Sequence, residues 1–268
     1  MKRGLLLLTA LLIAGLNLAM AQHTIGLSAG SGMATARLYP SEWSYPIWGS
    51  NTAGFSWRYY GQQQVLGCVG VDIEYMQRGY CYVPYASSYD DKADFLRYTR
   101  TINSIMVPII WQPHVYMFNH RIRLFLDAAA TFSYNMNSHY VNEFAEARGW
   151  DNWEGKYTYK LARDNRWGYG LMGGVGIAVL VKRYEIFARA RYYFGYSDIL
   201  RNRNKYSDNY VDDPAENPFG YTPVRSPMDN ITISMGVNYR LSKGDFINWK
   251  QKRTKRGSEL NEGFNYVR

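Results

Sequence analysis

The sequence predicts an all-β fold, eight antiparallel strands closed into an up-and-down transmembrane barrel of the outer-membrane type with long extracellular loops. Three observations predict it. The chain opens on an export segment, its apolar residues then alternate with a period of two, and short turns alternate with long polar connections. Residues i and i+2 of a strand share a face, so such alternation suits one face in lipid and the other in a polar interior.

Composition sets the bounds. The chain has 268 residues, 47% hydrophobic and 16% aromatic, with a net charge of +9. That aromatic content exceeds what disordered chains carry, and the length fits one large domain. With 9 Pro and 24 Gly, collagen-like classes are excluded. The 2 Cys cannot build a disulfide framework or a four-Cys zinc site. Past residue 21 no run of about 18 uncharged apolar residues occurs, so no helical membrane span is expected. The mean hydropathy of −0.38 does not bear on a barrel, because alternation averages away.

Residues 1–21 read as a signal peptide: Lys2 and Arg3 ahead of the apolar run Leu5 to Leu16, then Ala19-Met20-Ala21 as an A-x-A cleavage site. Gln22 rather than Cys follows, which argues against a lipidated N-terminus. The clearest strand is 231–241, with Ile231, Ile233, Met235, Val237, Tyr239 and Leu241 on one face. Residues 121–132 repeat the pattern, with Ile122, Leu124, Leu126, Ala128, Ala130 and Phe132. Residues 185–194 and 167–181 do the same, the latter setting Val175, Ile177 and Val179 against Gly168, Gly170, Gly174 and Gly176. Residues 65–78 alternate as well, and 23–33, 52–62 and 100–116 complete eight strands. The last contains Pro108, which removes a ladder donor and marks a bulge or edge.

Connections near 61–64, 118–121 and 182–184 are tight, whereas 35–50, 81–98, 134–165 and 197–228 are long and polar. With both termini periplasmic, the short turns face the periplasm and the long loops face outside. The competing reading is a soluble sandwich or lipocalin-like barrel, with apolar faces in and charges out. Here one face is almost purely apolar and the other holds charges of both signs, which suits lipid outside and a polar lumen inside. Trp57, Tyr59, Trp111, Tyr116, Trp167, Tyr169, Tyr192 and Tyr239 fit interfacial girdles.

The alternation sends Arg58, Arg78, Arg121, Arg123, Arg189, Arg191 and Arg240 inward with Asp72, Glu74, Asp127 and Glu185. An eight-stranded lumen is wide enough only for side chains. Buried charges there must be paired, since an isolated one costs several kcal/mol. The expectation is a salt-bridged plug and no conducting pore. Cys68 and Cys81 lie on the order of 40 Å apart along an extended strand, far beyond bridging distance, so both are expected as free thiols.

Several stretches resemble the PorT family of outer-membrane barrels: Val71-Asp72-Ile73-Glu74-Tyr75-Met76-Gln77-Arg78-Gly79, Tyr98-Thr99-Arg100-Thr101-Ile102-Asn103 running into Val107-Pro108-Ile109-Ile110, and Arg191-Tyr192-Tyr193-Phe194-Gly195-Tyr196-Ser197-Asp198-Ile199. Ser226-Pro227-Met228-Asp229-Asn230 leading to Tyr239-Arg240-Leu241 completes the set, in order, over about residues 24–241. The resemblance implies an eight-stranded barrel with a non-enzymatic accessory role in type IX protein secretion. The chain departs from a minimal barrel in its long third and fourth loops and in residues 242–268.

No catalytic, cofactor or metal site is read from the sequence. Its 4 His are scattered: His23 behind the cleavage site, His114 and His120 flanking a turn, and His139 beside Ser138 in a long loop. A lone Ser-His dipeptide has no base-and-orienter geometry behind it. The glycines of 170–176 lack the Lys-Ser/Thr ending and the following helix of a phosphate loop. Asp208–Asn217 is acidic but does not follow EF-hand spacing. Nucleic acid is not an expected partner for an exported barrel. The tail sets Lys243, Lys250, Lys252, Arg253, Lys255, Arg256 and Arg268 against Asp245, Glu259 and Glu262. Lys250, Lys252, Arg253, Lys255 and Arg256 thus form an expected periplasmic docking segment, with Phe246, Trp249, Phe264 and Tyr266 as anchors. The expected organisation is a signal peptide over 1–21, a barrel over 22–241 and a basic periplasmic tail over 242–268. Expected partners are outer-membrane lipid and secretion-machinery proteins, the barrel itself being monomeric. The expected site is the outer membrane of a Gram-negative bacterium, after cleavage near Ala21. A surface-exposed binding or adhesion barrel is the alternative, and an outer-membrane enzyme ranks behind both.

Overall fold

A computed structural model describes residues 23–39, 44–60, 67–83, 96–119, 121–201, 213, 215–217, 219 and 223–241. Eight strands form the wall: β1 (His23–Ala36), β2 (Thr52–Tyr60), β3 (Cys68–Tyr82), β4 (Tyr98–Gln112), β5 (Ile122–Asn142), β6 (Trp167–Val181), β7 (Tyr184–Asp198) and β8 (Pro227–Arg240). Each pairs antiparallel with its successor, and β8 returns to β1 from Thr24↔Arg240 to Ala36↔Met228. The ring has no edge strand. Closure is what hydrocarbon demands, because every unpaired backbone group there costs several kcal/mol.

The sequence reading ends β5 at Phe132 and opens a loop at 134, yet the strand runs to Asn142. A register shift at Asn103/Ser104 of β4, opposite Met136, is the reason. Buried positions are odd from Arg123 to Asn135 and even from Ser138 to Asn142. One inserted residue exchanges the two faces, so a fixed period-two template loses phase there. The extra length carries a wall of β3, β4 and β5 above the rim, since β6 joins β5 only from Trp167↔Tyr134. Short strands Ser44–Tyr45 and Glu154–Lys156 widen that wall. A helical turn, Glu143–Ala147, follows β5, its first N–H groups accepted by Asn142 Oδ1 at 3.1 and 3.2 Å.

Two prolines interrupt β4 without moving its register. Pairing with β3 continues from Val71↔Ile109 to Glu74↔Met106 across Pro108. Beyond Pro113 the strand resumes as His114–Met117, still paired with β5. The tight connections need left-handed backbone: Phe118 (φ 50) and Asn119 (φ 53) in one, Lys182 (φ 52) in the two-residue link between Val181 and Tyr184. The connection at 61–64 lies outside the described residues.

Candidate functional site: a charge-filled lumen under an aromatic cap

The two faces of the wall differ as lipid and lumen require. On β8, Ile233 and Met235 are each 65% exposed, while Thr232 and Ser234 are 2% and 4% exposed. Leu27, Ile73, Ile109, Leu126 and Val175 continue the outward apolar face around the ring. On β7 and β8 the outward face runs from the Tyr184–Tyr239 ring pair up to Tyr192 and Ile231, and turns charged at Asp229. From Tyr239 to Asp229 is about ten residues; at about 3.3 Å each and a tilt of about 40°, they span roughly 25 Å, the height of a lipid-facing band. Trp111, Trp167 and Tyr169 are exposed near strand ends, where a girdle belongs, and Tyr192 is exposed at mid-strand. Tyr116 is a correction, because its ring turns inward onto the buried Tyr60, Cys68 and Leu180.

Inside, charged side chains stack in tiers. Near the short turns Arg123 bonds both Glu185 and the Tyr60 hydroxyl, and Tyr60 donates to Glu185 Oε2 at 3.1 Å. The middle tier sets three guanidinium groups against three carboxylates. Arg58 forks onto Asp72, with Nη2 to Oδ2 at 3.0 Å. Arg191 reaches Asp72 at 3.0 Å, Glu74 at 2.6 Å and Asp127 at 2.7 Å. Arg189 reaches Asp72 at 3.3 Å and Glu74 at 3.0 Å. Tyr193 donates to Glu74 Oε2 at 2.6 Å, and Gln112 Nε2 to Asp127 Oδ1 at 2.7 Å. Guanidinium suits this lattice because its planar fork serves more than one carboxylate. Lumen glycines make room for it: a Cβ on Gly70 would stand 2.6 Å from Arg58 Cδ, and one on Gly176 2.2 Å from Phe125 Cζ.

Of the residues the alternation sends inward, Arg58, Asp72, Glu74, Arg78, Arg123, Asp127, Glu185, Arg189, Arg191 and Arg240 are all buried. Arg78 and Arg240 stand outside the ion pairs just described. Arg121 is another correction: it is exposed in the turn before β5, where its N–H closes onto the Phe118 carbonyl at 3.2 Å. Cys68 and Cys81 are free, buried thiols. His139 lies on β5 rather than in a loop, exposed on the face opposite buried Ser138, so the dipeptide cannot form a dyad. Among the described residues no group of three or more His, Cys, Asp or Glu could hold a metal ion. Lys250, Lys252, Arg253, Lys255 and Arg256 lie outside the described residues, as do 1–21 and most of 208–217. Asp213 is described, and it accepts the Ala215 N–H at 2.9 Å and an Asn152 side-chain bond.

Sequence reasoning missed two things. Tyr60, Gln112 and Tyr193 join the lumen network, and strand parity, shared with Arg58 on β2, Arg100 on β4 and Arg191 on β7 respectively, would have found them. The outer cap carries no such signal, because its parts meet only in space. Tyr80, Tyr82, Tyr98, Tyr140, Tyr157 and Phe219 pack together over the mouth with Leu38 and Leu200. Arg100, buried beneath them, lies 3.4 Å from the Tyr157 ring centroid and 3.8 Å from Asp164. Burial pushes the Tyr157 phenol well above its usual range, so it keeps its proton and donates to Asp164 Oδ1 at 2.8 Å.

Residues 21–201 match the family model described as "Outer membrane protein beta-barrel domain". No curated protein matches the chain. Among solved structures it is similar to Ail, the attachment invasion locus protein of Yersinia pestis, at 10% identity over 82% of this chain and 100% of that one, with a TM-score of 0.35. It is also similar to Neisserial surface protein A, at 10% identity over 81% of this chain and 96% of that one, with a TM-score of 0.37. The chain belongs to the outer membrane protein beta-barrel domain family.

Proposed function

We propose that this barrel is a non-enzymatic accessory component of type IX protein secretion, anchored in the outer membrane and working through its two ends. The observation that carries the reading is the lumen. Paired side chains cross it in successive tiers and an aromatic cap lies over its mouth, an arrangement that favours work at the ends over passage through the middle. The ordered PorT-like stretches point the same way. On this reading residues 1–21 direct export and are removed after Ala21, and the basic stretch from Lys250 to Arg256 meets an acidic periplasmic partner.

Deletion of the gene tests the proposal. Loss of secreted cargo from the medium, restored by the full chain, is the expected result. Truncation after Leu241 should leave the barrel inserted while cargo export or co-purification of a periplasmic partner fails. Normal secretion with lost surface attachment would select the alternative, a binding or adhesion barrel acting through the cap and outer loops.

A further inference from the structure

Among the buried charges of the lumen, Arg78 stands apart from the ion-paired tiers. The middle tier balances three against three, and Arg123 has Glu185. Arg78 is 7% exposed, and its guanidinium donates to Asn230 Oδ1 at 3.1 Å, Ser133 Oγ at 3.4 Å and the Met228 carbonyl at 3.2 Å. All three acceptors are neutral. Among the described residues no carboxylate oxygen comes within 4.0 Å of it. The nearby acids are committed elsewhere: Glu74 to Arg189, Arg191 and Tyr193, and Asp229 to Arg37, Tyr192 and the Gly195 N–H. Asp229 attracts it only from beyond contact distance, so the buried cation, touching neutral dipoles alone, keeps part of its desolvation cost.

Beside this guanidinium lies a cavity of ≈ 10 Å³, open to the centre of one water-sized sphere. Arg78, Thr131, Ser133, Tyr193 and Ser197 are among its walls. Tyr193 and Ser197 already donate to Glu74 and the Tyr169 carbonyl, which leaves the Thr131 and Ser133 hydroxyls beside the cation. A cation with two hydroxyl groups in a space for one small particle is the chemistry of a monatomic anion site. We propose that the cavity binds a single halide-class anion, chloride in the cell envelope, with Arg78 as its counter-cation. A halide is somewhat larger than water. Ser133, tied to Arg78 only by the 3.4 Å contact, is the side chain able to turn toward it.

The test uses the full-length barrel refolded in detergent. Its unfolding midpoint is read by the folded-to-unfolded gel shift in sodium chloride, bromide and gluconate at one ionic strength. Gluconate is too large to enter, so chloride and bromide should raise the midpoint by a few degrees over gluconate. Arg78→Met should abolish the difference, and Ser133→Ala, which keeps the cation, should shrink it. Crystals grown in bromide should show an anomalous peak beside Arg78. Equal midpoints in the three salts, a halide effect unchanged in both variants, or no anomalous peak at that place would overturn the proposal. The last result would leave a water in the cavity.

Discussion

Asp72 is the hub of the middle tier, and its substitution tests the charge-filled lumen most sharply. It is the only described carboxylate in an ion pair with Arg58, and it also receives Arg189 and Arg191. Asp72→Asn keeps the shape and removes the charge, leaving three guanidinium groups facing two carboxylates. Arg189 and Arg191 retain Glu74, so the damage concentrates on Arg58, whose side chain is 3% exposed. Breaking a buried pair by removing one partner costs about 3–5 kcal/mol. The exposed Glu154 gives the control, since Glu154→Gln should change stability by less than about 0.5 kcal/mol. Urea unfolding from lipid vesicles, followed by tryptophan fluorescence, measures both. The combination of Asp72→Leu with Arg58→Met should recover most of the loss, because apolar replacement of a buried pair is often neutral. Equal effects of the two single substitutions, or a double variant no better than Asp72→Asn, would refute the reasoning.

Other consequences are as direct. Gly176→Val drives a side chain into the Phe125 ring and should cost about 1–3 kcal/mol, whereas outward Gly173→Ala meets nothing within 4 Å and should be neutral, both read by the same unfolding curves. A closed ladder resists detergent, so an unheated sample should migrate differently from a boiled one; identical migration with full carbonate extraction would contradict the fold. In planar bilayers the lumen should give no steady open conductance, and a stable channel would show that the tiers do not seal it.

Much of the wall was legible because lipid and lumen impose opposite demands on alternate residues, and Ile231 to Tyr239 records both demands in full. The phase change at Met136 was not legible, since a single inserted residue changes the geometry without changing the kind of residues present. The lumen charges could be read from parity alone, which is why Arg58, Asp72 and Arg191 could be placed inward before their partners were known. Parity failed at Arg121 because a turn, not a ladder, orients that side chain. Tyr116 was assigned to the girdle for its place near a strand end, although its parity, shared with Gln112 and His114, is the inward one. The cap eluded the sequence for a different reason. Arg100 stands on β4, Tyr157 and Asp164 in the β5–β6 connection and Phe219 in the β7–β8 connection, and nothing local in any of them specifies the contact.

The most direct test of the central claim, lipid on one face and a polar, closed lumen on the other, is a quenching scan along β8. Single cysteines at 231–235, in a background without Cys68 and Cys81, would carry a fluorophore in vesicles containing brominated lipid. Lipid should quench labels at 231, 233 and 235 and leave those at 232 and 234 bright. Uniform quenching, or quenching of the even positions, would contradict the account.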